Sequence, residues 1–137
     1  MQENPDHDIE ELIQYSIGFA DELLNKHREF YPFASYISIV GELVPILVNT
    51  DKEFPDSNEL ITEFLEVLDQ LKNKGDLVAY AIAIDSMVTN EQYPGSIDAI
   101  AIQTFHSQRE KQINYYFPYR FVDENLKILE GWGEFNQ

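Results

Sequence analysis

The sequence contains no cysteine and few cations, with nine Lys and Arg against 25 Asp and Glu in 137 residues. Without cysteine the chain can form no disulfide, no thiolate metal site and no cysteine nucleophile. The formal net charge of -16 creates a negative surface potential that repels nucleic acid and anionic lipid. We therefore expect no nucleic-acid partner and no membrane partner, and we expect any strong protein partner to be basic.

Long hydrophobic runs are also absent from the sequence. The longest candidate, around residues 77–84, has the length of a strand, whereas a membrane-spanning helix needs about 20 apolar residues. The first six residues lack the basic start and apolar core of a secretory signal. These features, with the lack of cysteine, predict a cytoplasmic protein. A hydrophobic content of 44% excludes a disordered acidic tail, and the length predicts one domain spanning residues 1–137.

Two amphipathic helices are predicted from apolar residues at three- and four-residue steps. The first has its predicted inner face within residues 9–27 and ends near Arg28. The second begins at Asp56 or Ser57, where a Glu three residues after Asp56 has the spacing of a capping box, and Gly75 follows its end. Its buried face is expected to contain Leu60, Ile61, Phe64, Leu65, Leu68 and Leu71.

Five strands are predicted from β-branched and aromatic runs between turn residues. They cover residues 34–40, 43–49, 77–88, 97–105 and 113–122. Pro45 has no N–H to donate, so the second strand is expected at a sheet edge or at a bulge. The tail from residue 127 is expected to form a short strand or a loop that carries Trp132.

The third predicted strand alternates between small and large residues. Val78, Tyr80, Ile82, Ile84 and Val88 are expected on one face, and Ala79, Ala81 and Ala83 on the other. The alanine face would let a helix approach the sheet closely. The element order helix-strand-strand-helix-strand-strand-strand predicts an α+β fold, with one mainly antiparallel five-stranded sheet packed by helices.

Motifs that carry chemistry are missing from the sequence. The three histidines, His7, His27 and His106, have no partner at metal-site spacing. Gly131 and Gly133 form the one Gly-x-Gly, but no helix follows it as in a phosphate-binding loop. We therefore predict no cofactor, no metal and no catalytic residue, while the sequence leaves open whether the protein is an enzyme.

An acidic stripe follows the predicted outer face of the second helix. Asp56, Glu59, Glu63 and Glu66 recur at helical spacing opposite the apolar face. The stripe has two interpretations: a solvated face that keeps the protein soluble, or a docking surface for a basic partner. Glu59, Glu63 and Glu66 are therefore candidate partner-binding residues.

Aromatic residues are concentrated around two prolines, in segments 30–36 and 115–121. Such rings most often pack into a core, but aromatic residues beside an Arg are also typical of interface hot spots. Tyr31, Tyr119 and Arg120 are therefore further candidate partner-binding residues. In so acidic a chain, Arg120 is expected to pair with a carboxylate.

The segments Phe30-Tyr31-Pro32-Phe33-Ala34 and Phe117-Pro118-Tyr119-Arg120, with the strand around residues 98–100, resemble small bacterial proteins of uncharacterised families. The resemblance spans most of the chain through short motifs and implies no activity. Separately, the order of elements is similar to the roadblock and profilin-like α+β sandwiches. That similarity concerns topology alone.

Three functions are compatible with these features. The first is a non-enzymatic acidic binding protein, such as an immunity protein or inhibitor that neutralises a basic bacterial toxin. The second is a homodimeric roadblock-like scaffold subunit. The third is a small-molecule-binding protein or an enzyme, with a pocket between the first helix and the sheet. That pocket would be lined by Tyr31, Tyr36, Tyr115, Tyr119 and Arg120 and would bind an anionic group.

Overall fold

The computed structural model of the chain describes residues 5–46 and 55–136. Within them lie two helices and seven strands. These are α1 (Pro5–His27), β1 (Phe33–Ser38), β2 (Leu43–Ile46), α2 (Ser57–Asn73), β3 (Leu77–Val88), β4 (Ile97–His106), β5 (Ile113–Val122), β6 (Asn125–Ile128) and β7 (Trp132–Phe135). The predicted α+β class is confirmed, but the predicted count of five strands is wrong.

All strand pairs are antiparallel, and the sheet has the order β2-β1-β3-β4-β5-β6. β7 also pairs with β5, along its first half, while β6 pairs with its second half. β2 lies at the edge of the sheet, as the proline at position 45 predicted. The last residues of the predicted second strand, 47–49, lie outside the described residues.

The two additional strands are formed by the tail. Asp123 and Glu124, both at positive φ (52° and 67°), form the two-residue connection between β5 and β6. This backbone geometry is that of a type I′ hairpin turn. Asn-Gly or Asp-Gly is the usual signal for such a turn, and Asp-Glu does not provide it. The hairpin of β5 and β6 therefore has no turn signal in the sequence.

Residues on opposite faces of β3 belong to two separate cores. Ala79, Ala81 and Ala83 pack in the core beneath α1, which we call the α1-side core. Tyr80 and Ile82 pack in the α2-side core with the buried face of α2. Because successive strand residues point to opposite faces, the helices cover opposite sides of the sheet. The small alanine face beneath α1 was correctly predicted.

Val78 is the exception to the predicted alternation in β3. The pairing with β1 shifts between Ile37, which faces Ala79, and Ser38, which faces Leu77. Val78 has no partner across this irregularity and packs in the α1-side core. A bulge changes the direction of a side chain in this way. The prediction that Val78 shares a face with Tyr80 is therefore wrong.

The second helix is capped as the sequence predicted. The Asp56 carboxylate accepts a hydrogen bond from the N–H of Glu59 at 3.1 Å. The helix is followed by Gly75 at φ 74°. Leu60, Phe64 and Leu68 are buried, and Ile61, Leu65 and Leu71 are partly buried. Neither described helix combines the length and the apolar character needed to cross a bilayer.

The start of α1 is held by the end of β4 and the turn after it. The Nε2 of His106 lies 2.8 Å from a carboxylate oxygen of Asp8, and its side chain is fully buried. Arg109 forms an ion pair with Asp6 and donates to the Tyr115 hydroxyl at 3.3 Å. These contacts fix the helix across the sheet and thereby position its other end, where a cavity opens.

Candidate functional site

A cavity of about 660 Å³ lies where the end of α1 meets the beginning of β1. Its apolar walls are formed by Phe19 and Leu23 of α1, Phe30 of the connection and Phe33 of β1. Four-residue spacing places the two α1 side chains on the same side of that helix. The volume falls within the range typical of small-molecule sites.

The aromatic side chains of these walls pack against one another. The ring centroids of Phe19 and Phe33 are 4.8 Å apart in an edge-to-face arrangement. Phe30 tilts against Phe33 at 5.6 Å. These separations and angles are those preferred by aromatic pairs. Each ring restrains its neighbour, so the apolar walls are formed without a ligand.

Polar groups occupy the rest of the cavity lining: His27, Glu29, Tyr31, Ser57 and Asp85. Asp85 comes from β3, two residues beyond Ala83, which faces Phe33 on β1. It therefore points to the same side of the sheet as Ala83, towards α1. We call the whole site the Asp85 cavity.

Two hydrogen bonds hold the Asp85 carboxylate in place. The buried Tyr119 hydroxyl donates to one oxygen at 2.6 Å, and the N–H of Phe30 donates to the other at 3.4 Å. Tyr119 lies on β5, so its hydroxyl reaches past β4 to support a carboxylate on β3. The cavity thus brings together β3, β5 and the connection after α1.

Burial raises the pKa of Asp85, and its hydrogen bonds from Tyr119 and Phe30 partly oppose that rise. The nearby carboxylates of Asp98 and Glu29 raise it further. Burial raises the pKa of Tyr119 as well, and the adjacent Asp85 adds to that rise because it disfavours a second negative charge. Tyr119 is therefore held as a neutral donor to Asp85.

No Lys or Arg forms an ion pair with Asp85 in the described parts of the chain. Arg28 follows the last residue of α1 and directly precedes Glu29 of the cavity lining in the sequence. Its guanidinium carbon sits 4.1 Å from the centroid of the Phe121 ring, in a cation–π contact. The Asp85 cavity is therefore lined by two carboxylates, those of Glu29 and Asp85, and by no Lys or Arg among residues 5–46 and 55–136.

The predicted aromatic and Arg candidates are only partly brought together. Tyr31 lines the Asp85 cavity, and Tyr119 donates a hydrogen bond to Asp85. Arg120 follows Tyr119 on β5 and is exposed on the other side of the sheet. It makes no ion pair with the described residues, and the residue opposite it on β6 is Lys127, which is also a cation. The expectation that Arg120 pairs with a carboxylate is therefore wrong.

The structure also changes the predicted pocket lining. Tyr36 packs against the α2-side core, and Tyr115 packs against the α1-side core. The cavity is lined by the carboxylates of Glu29 and Asp85 rather than by the guanidinium of Arg120. Sequence reasoning missed Asp85, although one signal was present: it is the one charged residue of β3 and follows a run of buried residues, 77–83.

The second candidate site is the outer face of α2. Glu59, Glu63 and Glu66 are exposed, and we call them the acidic face. Val67, 38% exposed, lies beside them on the same helix. No group of three or more acidic or His side chains arranged to hold a metal occurs within residues 5–46 and 55–136.

Comparisons with models of protein families, with curated proteins and with solved structures gave no match to this chain. The resemblance to small bacterial proteins remains a prediction.

Proposed function

We propose that the protein is a non-enzymatic acidic binding protein whose partner is a basic protein. The observation that carries this proposal is the acidic face of α2, with the exposed apolar side chain of Val67 beside it. Apolar contact area with charges around it is the usual anatomy of an interface. The net charge of -16 attracts a basic partner from a distance and increases the rate of encounter.

The acidic face lies on a helix whose position is fixed by its packing against the sheet. Leu60, Phe64 and Leu68 bury the inner side of α2 against the sheet, and Asp56 caps its beginning. A partner therefore does not have to order this backbone when it binds. Binding to a rigid surface loses less conformational entropy than binding to a flexible segment.

A second copy of the chain is a poor partner for the acidic face. Such a contact would place the carboxylates of the two copies against each other, and each copy carries a net charge of -16. Like charges across an interface oppose association. The charge therefore favours a basic partner over a roadblock-like homodimer at this surface. A basic toxin, neutralised by an immunity protein, has the required chemistry.

The test is a variant with Glu59, Glu63 and Glu66 changed to Gln. A basic protein captured from cell extract is used to measure association rates from roughly 50 to 500 mM salt, the range over which screening of exposed charges becomes strong. We expect the variant to associate more slowly and with a weaker salt dependence, because interface charges act mainly on encounter.

The matched control removes the same number of charges elsewhere. Glu42, Glu91 and Glu130 are exposed outside α2, so their change to Gln tests net charge alone. We expect the control to retain most of the association rate. Equal slowing in the two variants would show that total charge, and not the acidic face, is responsible.

A further inference from the structure

We propose that the Asp85 cavity binds an organic cation, a primary ammonium group on an apolar stem. This site is distinct from the acidic face and does not depend on a basic protein partner. It is a cavity lined by two carboxylates, other polar groups and aromatic side chains. Three properties define its ligand: charge, number of N–H donors and an apolar body.

The charge of the ligand follows from the groups around Asp85. Glu29 lines the same cavity, and Asp98 lies close enough to raise the pKa of Asp85. Neither Lys nor Arg pairs with Asp85 in the described residues. An anionic ligand would meet these carboxylates, whereas a cation would supply the missing counter-charge.

The number of donors follows from the hydrogen bonds already made. An ionised carboxylate has about four acceptor positions on its two oxygens. Tyr119 and Phe30 each occupy one position on Asp85, one on each oxygen. The remaining positions can accept N–H groups from a primary ammonium. A quaternary ammonium has no N–H and would leave them unpaired.

The apolar body follows from the walls. Phe19, Phe30, Phe33 and Leu23 present aromatic and aliphatic surface next to the carboxylate. Ring faces within about 6 Å stabilise a cation, and apolar walls bury a hydrocarbon stem. A cavity of about 660 Å³ is much larger than an ammonium ion alone. The site therefore fits an aralkylamine or an alkylamine.

The test uses four probes of similar shape, measured by titration calorimetry and by amide chemical shifts. They are 2-phenylethylamine, its trimethylammonium analogue, the neutral 2-phenylethanol and the anionic 3-phenylpropionate. We expect 2-phenylethylamine to bind at least about ten-fold more tightly than the other three, because charge-assisted hydrogen bonds to Asp85 are lost in each of them. The Phe30 amide signal should shift on binding, since that N–H donates to Asp85.

Two variants locate the site. Asp85→Asn should weaken binding of the amine by at least about ten-fold and leave binding of 2-phenylethanol almost unchanged, because it removes charge and little volume. Asp76→Asn is the matched control: this exposed carboxylate lies nine positions before Asp85, just before the start of β3, and does not line the cavity, so its change should alter affinity by less than about three-fold. Thermal unfolding of each variant confirms that it is folded.

Several results would overturn the proposal. Equal binding of 2-phenylethylamine and 2-phenylethanol would identify a merely apolar cavity, and tighter binding of the trimethylammonium probe would exclude the role of N–H donors. An unchanged Phe30 amide signal would place any binding elsewhere. If Asp85→Asn does not fold, Tyr119→Phe replaces it. Removing that donor should weaken amine binding more strongly at acidic pH than at neutral pH, since the pKa of Asp85 would rise further.

Discussion

His106 and Asp8, 98 positions apart in the sequence, are joined by a 2.8 Å hydrogen bond between Nε2 and a carboxylate oxygen. The other ring nitrogen, Nδ1, accepts from the backbone N–H of Gln108 at 3.0 Å. The Nδ1 contact requires a lone pair on that nitrogen, so the proton lies on Nε2 and is donated to Asp8. Both ring nitrogens are used structurally, and the imidazole is buried.

Replacing His106 with Ala should destabilise the protein by about 2–4 kcal/mol. The change leaves a cavity, an unpaired N–H at Gln108 and an unpaired carboxylate at Asp8. Urea unfolding measures the loss. His27→Ala is the control because His27 is exposed, and it should change stability by less than about 0.5 kcal/mol. Similar effects of the two substitutions would contradict the structural role of His106.

Tyr119→Phe should reduce stability by about 1.5–3 kcal/mol at neutral pH, since it removes a buried hydrogen bond to a carboxylate. This difference should shrink above pH 10. The folded protein has a raised pKa for Tyr119, so it keeps the proton that the unfolded chain releases from about pH 10.0. The stabilisation is complete below that pH and declines as pH rises. Urea unfolding at pH 7 and about pH 10.5 tests both expectations, and a constant difference would argue against the raised pKa.

The free energy of unfolding of Asp85→Asn should increase, relative to that of the original protein, as pH rises from acid to neutral. The pKa of Asp85 is raised above its usual 3.8, so the folded state holds this proton more tightly than the unfolded chain does. Ionisation of Asp85 therefore lowers the stability of the original protein as pH rises from the usual pKa, which applies to the unfolded chain, through the raised pKa of the folded protein. Unfolding free energies of both proteins from about pH 3.5 to 7 give the difference. A difference that does not change with pH would contradict the effect of burial on Asp85.

Gly131→Ala should destabilise the protein by about 1–3 kcal/mol, the usual cost of overpacking. A Cβ at this position would lie 2.6 Å from the carbonyl oxygen of Tyr116 and against the Phe117 ring. Gly95→Ala is the control, because a Cβ there would have no heavy atom within 4 Å. Thermal melts compare the two. If Gly131→Ala melts at the same temperature as the original protein, the close approach of the tail to β5 is wrong.

Changing Glu59, Glu63 and Glu66 to Gln should leave the free energy of unfolding unchanged or raise it slightly. The pair Glu59 and Glu63 has four-residue spacing, and the pair Glu63 and Glu66 has three-residue spacing. Like charges at these spacings cost a few tenths of a kcal/mol per pair. Urea unfolding at low and high salt measures the effect, which should be smaller at high salt. A large loss of stability would show that these side chains support the fold.

The accuracy of the sequence predictions depended on how local each feature was. The bounds of β3 and the cap of α2 were predicted correctly, since both follow from neighbouring residues. The direction of Val78 was predicted wrongly because a bulge depends on the pairing with another strand. The contact between Asp85 and Tyr119 could not be predicted, because it joins β3 to β5 across β4.

The attachment of α1 to the end of β4 and the turn after it has a consequence for synthesis on the ribosome. The helix is made first, but its contacts are with β1, β3, β4 and β6, and its ties to His106 and Arg109 span 98 and 103 positions. The nascent chain must therefore expose the apolar side of α1 until most of the sheet has emerged. Such long-range closure is slow, and exposed apolar surface favours aggregation in the meantime. Protection by a chaperone should matter most for chains truncated before β4.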